Sequence, residues 1–82
     1  MRLIFQFFAK ARELANAENK EINVCETTQL SDALTQLSIE VPALDVQFLK
    51  RCRIAHNKKY VPLTTAVEHD NTYVVIPPIS GG

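Results

Sequence analysis

Between residues 3 and 8 the chain sets Leu3, Phe5 and Phe7 on one side of an extended segment and Ile4, Gln6 and Phe8 on the other. The branched and aromatic content predicts a strand over 3–8, and the unbroken odd face is its core face. Phe8 then points away from the core, where an aromatic has less reason to be. Residues 9–17 predict a short helix, since Ala9, Ala11, Arg12, Glu13, Leu14 and Ala15 all tolerate helical backbone. Residues 21–26 predict a second strand with Ile22 and Val24 inward and polar neighbours at its margins. The clearest periodicity follows. Leu30, Ala33, Leu34 and Leu37 fall at i, i+3, i+4 and i+7, one face of an amphipathic helix. Thr27-Thr28 offers that helix an N-cap oxygen, and Asp32 suits its positive end. Pro42 stops it and pushes Val41 toward extended backbone.

Further along the periodicity weakens. Residues 43–51 predict a second short helical piece. Residues 52–56 and 59–61 predict a hairpin turning near Asn57-Lys58, with Pro62 closing that edge. His69-Asp70-Asn71 predicts a turn made without glycine, because Asp and Asn can enter the left-handed region. Thr72 to Ile76 is the last strand, and Pro77, which has no amide hydrogen, ends it. The order β-β-α-β-β, with minor helical turns, places the chain in the α+β class: a small mixed sheet packed on one main helix. With the first and last strands side by side in the centre, this is the ubiquitin-like β-grasp. The expected organisation is one domain over residues 1–76 and an extended tail over 77–82.

Composition narrows the possible chemistry. The 82 residues carry nine bases and nine acids, a net charge of zero that argues against general binding to nucleic-acid phosphates. No stretch approaches the ~18 apolar residues of a membrane helix. Arg2, the apolar run and Ala9-Lys10-Ala11 imitate a small signal peptide, but Gln6, Lys10 and Arg12 break the imitation. Cys25 and Cys52 are too few for a disulfide framework and form no CxxC pair, so a reduced cytoplasmic setting is expected. Both thiols are expected to pack as small hydrophobes; a redox pair would need their α-carbons within ~7 Å. His56 and His69 lack ligands at metal spacing. His69 is expected in an exposed turn, and His56 in a strand with one ring nitrogen bonded locally. A phosphate-binding glycine loop is impossible, because the only two glycines are Gly81 and Gly82.

That placement is the most informative feature of the composition. Average usage of ~7% would scatter about six glycines through a chain of this length. Here both stand at its end, behind Pro77-Pro78. The prolines make a stiff spacer and the glycines the most slender tip a peptide offers. Residues 77–82 span at most ~20 Å at ~3.3 Å each. A stiff base with a slender tip suits insertion into a partner's pocket.

The ending Ile76-Pro77-Pro78-Ile79-Ser80-Gly81-Gly82 resembles the signature tail of the small, sulfur-carrying subunits of molybdopterin synthases. The opening Phe7-Phe8-Ala9-Lys10-Ala11-Arg12-Glu13-Leu14 resembles that family's first strand and helix. Length and spacing match across the whole chain. The resemblance implies a chain with no turnover of its own and no bound cofactor. A partner related to ubiquitin-activating enzymes, using ATP and Mg, would adenylate the carboxylate of Gly82 and leave a thiocarboxylate. The tail would then enter the large synthase subunit, in a heterotetramer, and give its sulfur to cyclic pyranopterin monophosphate. In this reading Gly82 carries the sulfur, Gly81 gives steric access, Ser80 and Ile79 touch the channel, and Pro77 and Pro78 aim the tail. Phe8, Arg12 and Ile76 match the family's partner-binding positions. Tyr60 falls at one that is commonly aliphatic. The family usually has Gly-Asp before the last strand, where this chain has Asp70-Asn71. The rival reading is a ubiquitin-like modifier joined through Gly82 to target lysines; a duller one is an adaptor whose end is inert. Finally, Lys50, Arg51, Arg53, Lys58 and Lys59 place five bases and no acid between residues 50 and 59. Such a cluster can dock an acidic surface, but a solvated hairpin is the more ordinary expectation.

Overall fold

The structure, a computed structural model, describes residues 1–78. Along the chain run β1 (Arg2–Phe7), α1 (Ala9–Ala15), β2 (Asn19–Asn23), α2 (Leu30–Glu40), α3 (Val46–Arg51), β3 (Arg53–His56), β4 (Lys59–Val61) and β5 (Asn71–Ile76). The strands make one five-stranded sheet in the order β2-β1-β5-β3-β4. β1 and β5 pair in parallel at its centre, and the other pairings are antiparallel. This is the β-grasp of an α+β protein, with the first and last strands adjacent as the sequence implies. Leu3, Phe5 and Phe7 of β1 and Tyr73 and Val75 of β5 are fully buried. They join Leu30, Ala33, Leu34 and Leu37 of α2 in a single core. Each large side chain so buried contributes about 1.5–3 kcal/mol over leaving it in water.

Tertiary pairing moves several boundaries away from the local signals. β1 begins at Arg2 and ends at Phe7, because Phe8 leaves the ladder as the N-cap residue of α1. β2 lies over 19–23 rather than 21–26, since its partner sets its limits: Gln6 faces Asn19 at one end and Arg2 faces Asn23 at the other. Past Asn23 the Val24 amide donates to the Met1 carbonyl at 2.8 Å, outside the strand register. Val24 therefore packs half-buried against the core from outside the strand. α1 stops at Ala15, where Asn16 turns left-handed with φ 53°.

The cap expected from Thr27-Thr28 does not form; Gln29 is the N-cap of α2 and gives no side-chain bond. Instead the amides of Leu30 and Ser31 donate to the carbonyls of Thr65 and Leu63, at 2.8 and 2.9 Å. A distant loop satisfies the helix end. The second helical piece starts at Val46, not at residue 43, because the Asp45 side chain caps it by accepting from the Gln47 amide at 3.1 Å. Cys52 is its C-cap, so β3 begins one residue later than the sequence pattern suggests.

Among the described residues five have positive φ, and none is glycine: Ala9, Asn16, Asn57, Lys58 and Asp70. Asn57 and Lys58, at 52° and 68°, form the two-residue turn between β3 and β4. Asp70, at 61°, adopts the conformation for which glycine is the default. The Asp70 amide donates to the Arg2 carbonyl, and its carboxylate accepts from Arg2 Nε at 2.7 Å. Those bonds hold the turn that a glycine would otherwise ease.

Candidate functional site

β5 delivers the tail. Its last residue, Ile76, pairs with Arg53 of β3 on one side. On the other side the register runs Phe7 opposite Val75, and the Phe8 amide reaches the Val75 carbonyl at 3.4 Å. Phe8, Ile76 and Arg53 therefore lie at one level across three neighbouring strands, where the chain leaves the sheet as Pro77-Pro78. Strand alternation turns all three away from the helix-covered face, and Phe8 is 41% exposed. The outward orientation expected for Phe8 holds.

Arg12 stands beside it. Its guanidinium carbon lies 5.4 Å from the Phe8 ring centroid, and its Nε donates to the Phe7 carbonyl at 3.2 Å. A cation over an aromatic face is attractive, by about 0.5–1 kcal/mol at an exposed site. On the opposite flank Tyr60, 60% exposed, pairs with Ala55 and lies under the guanidinium of Arg53 at 5.0 Å. Tyr60, Ile76, Pro77 and Pro78 line one cleft with Arg51 and Arg53, of about 580 Å³. The candidate contacts thus form two aromatic–arginine pairs on either side of the tail's exit: Phe8 with Arg12, and Tyr60 with Arg53. Gly82, Gly81, Ser80 and Ile79 lie outside the described residues.

Arg51 and Arg53 are the residues the sequence pattern undervalued. Within the basic run they read as part of a solvated hairpin, yet both line the cleft. The available signal was alternation, since Arg53 and Ile54 must face opposite sides of the sheet once 53–56 is a strand.

The histidines and Tyr73 lie among contacts that tie the strands together. His56 does not bond locally: its Nε2 lies 2.6 Å from Oδ1 of Asn71, a residue of the neighbouring strand β5. Asn71 donates its amide nitrogen to the His69 carbonyl, which turns Oδ1 toward His56 and makes Nε2 the donor. The His56 ring also stacks on Tyr73 at 4.6 Å. The Tyr73 hydroxyl accepts from the Glu68 amide at 3.0 Å, and burial is the main cause of its raised pKa. His69 is exposed as expected, with Nδ1 accepting from the Arg2 amide. Cys52 is buried with its thiol against the Phe48 carbonyl, and burial pushes its pKa up to about 11. Cys25 is exposed, and both cysteines are free. Among the described residues no three His, Cys, Asp or Glu side chains gather as a metal site. No described helix is long and apolar enough to cross a membrane.

Residues 5–82 match the model of the ThiS family. The chain is 32% identical over 84 residues to a molybdopterin synthase sulfur carrier subunit of Chlamydomonas reinhardtii, covering 100% of each. Its fold is similar to that of SAMP1 from Haloferax volcanii, with a TM-score of 0.88 at 22% identity and 100% of both chains covered. A chain from the complex of subunits 1 and 2 of the molybdopterin-converting factor of Helicobacter pylori has a TM-score of 0.67 at 25% identity, again over 100% of both. The chain belongs to the ThiS family, and within it to the group of molybdopterin synthase sulfur carrier subunits with a ubiquitin-like β-grasp fold.

Proposed function

We propose that this chain is the sulfur carrier of a molybdopterin synthase and that it works in the cytoplasm through Gly82. The observation that carries the reading is similarity over the whole of both chains to a sulfur carrier subunit. The fold supports it, because the central strand β5 runs straight into the Pro77-Pro78 base of the tail.

The chemistry belongs to the chain's end. A carboxylate oxygen of Gly82 attacks the α-phosphorus of ATP on an activating partner related to ubiquitin-activating enzymes, and Mg-bound pyrophosphate leaves. The resulting acyl-adenylate is an electrophile, which the free carboxylate is not. Sulfide released from a sulfur donor attacks its carbonyl carbon and AMP departs with the C–O bond's electron pair, leaving the thiocarboxylate. The large synthase subunit then takes the tail, in a heterotetramer, and the sulfur passes to cyclic pyranopterin monophosphate. Two such transfers complete the dithiolene of molybdopterin. Gly81 lets the tip pass, Ser80 and Ile79 touch the channel wall, and Pro77 and Pro78 limit the directions in which the tip can search. Phe8, Arg12, Tyr60 and Ile76 make the surface that seats on the large subunit, since exposed aromatics beside arginines are typical anchors of an interface.

Reconstitution tests this. Thiocarboxylated chain, purified large subunit and cyclic pyranopterin monophosphate are mixed, and molybdopterin is followed. The expected result is product at the expense of thiocarboxylate, and none from a chain lacking Gly82. Product from the shortened chain, or none from the thiocarboxylated one, contradicts the reading.

A further inference from the structure

The cleft at the base of the tail carries more positive charge than a contact surface requires. Arg51 arrives from the end of α3 and Arg53 from the start of β3, and both line it with Tyr60, Ile76, Pro77 and Pro78. Two guanidiniums brought to one cleft repel each other unless an anion answers them. Within the described residues nothing answers. The ion pairs there involve Arg2, Lys20 and His69, and no base of residues 50–59. Among the described residues Arg53 meets the Tyr60 ring, at 5.0 Å, which holds the guanidinium without satisfying its donors. Lys50 precedes Arg51 in the last turn of α3, whereas Lys58 and Lys59 lie at the far end of the β3–β4 ladder from Arg53.

We propose that this cleft receives an aspartate or glutamate side chain of the large synthase subunit when the tail is inserted. The inference rests on the function proposed above and adds the chemistry of the partner's contact. A protein carboxylate fits on three counts. The guanidinium fork matches its two oxygens. The Tyr60 ring, 5.0 Å from the Arg53 guanidinium carbon, holds that guanidinium beside the cleft. The cleft also adjoins Ile76 and the tail's exit, so a partner that swallows the tail must cover it. As that happens water is excluded and the charge pair strengthens. Arg51 and Arg53 also steer the approach of an acidic surface.

The test is affinity for the large subunit, with the full chain, as a function of salt. Arg53→Glu and Arg51→Glu are each expected to weaken the complex by about tenfold or more at low salt. Arg53→Lys should recover only part of the loss, because an ammonium lacks the fork. The unsubstituted chain should lose affinity as salt rises, and more steeply than either glutamate variant. Unchanged thermal melting shows that the variants fold. Equal affinity and equal salt dependence in all chains overturn the cleft proposal while leaving the carrier reading standing. The same holds if only the activating step slows, since the carboxylate would then belong to the activating enzyme. Failure of the unsubstituted chain to bind the large subunit at all overturns both.

Discussion

The two cysteines show how setting decides what a side chain does. Cys25 is exposed, whereas Cys52 is buried at the end of α3 with its thiol on the Phe48 carbonyl. Burial raises the folded pKa of Cys52 from 9.0 to about 11, with nearby Arg51 opposing weakly. The sign of the linkage follows from proton counts. Below pH 9 the thiol is protonated both folded and unfolded, and its contribution is fully present. As pH rises from 9 toward 11 the unfolded chain gives up the proton first, so that contribution is lost. Denaturant unfolding between pH 8 and pH 11 should therefore show a decline for the natural chain that is shallower in Cys52→Ala. Parallel pH profiles would contradict it. The expectation that both thiols pack as small hydrophobes holds for Cys52 and fails for Cys25, which is exposed because it follows the end of β2. The same limit applies to His56, whose partner Asn71 is fixed by the pairing of β3 with β5. Phe8 was legible for the opposite reason: strand alternation is local, and it places Phe8 outward without knowledge of the rest of the fold.

Among the elements, α2 and α3 illustrate two ways of ending a helix. α3 begins on its own side chain, with Asp45 accepting from the Gln47 amide. α2 begins on borrowed carbonyls, those of Thr65 and Leu63. Asp45→Ala should cost about 1 kcal/mol in urea unfolding, the usual worth of an N-cap. Thr28→Ala should stay within about 0.5 kcal/mol, because the capping role its position suggests belongs to the distant loop. A reversed order of these two costs would contradict the assignment. The difference explains which boundaries the sequence could reveal. The apolar face of α2 was readable because Leu30, Ala33, Leu34 and Leu37 repeat at helical spacing within one segment. The span of β2 was not, because pairing with β1 decides where it starts and stops, with Gln6 opposite Asn19 and Arg2 opposite Asn23.

For the whole molecule, the sheet order decides where the tail leaves the fold. The sheet order β2-β1-β5-β3-β4 puts β5 at the centre, so the chain leaves from the best-supported strand. Phe8, Arg12, Tyr60 and Arg53 flank that exit on either side. The tail's composition was the plainest signal in the sequence, since both glycines gather there while five positive-φ positions elsewhere do without them. The cleft beside it was harder to foresee. It is assembled from α3, β3, β4 and the tail's base, and no local pattern announces that these meet. In the proposed function Gly82 is the chemical centre and the folded domain its carrier. Intact mass spectrometry tests this most directly, after incubation with the activating enzyme, Mg-ATP and a sulfur donor. The chain should gain the mass difference between one sulfur and one oxygen, located by fragmentation at Gly82 and absent when ATP is omitted. An unchanged mass, or lysine-linked conjugates with no thiocarboxylate, would contradict it.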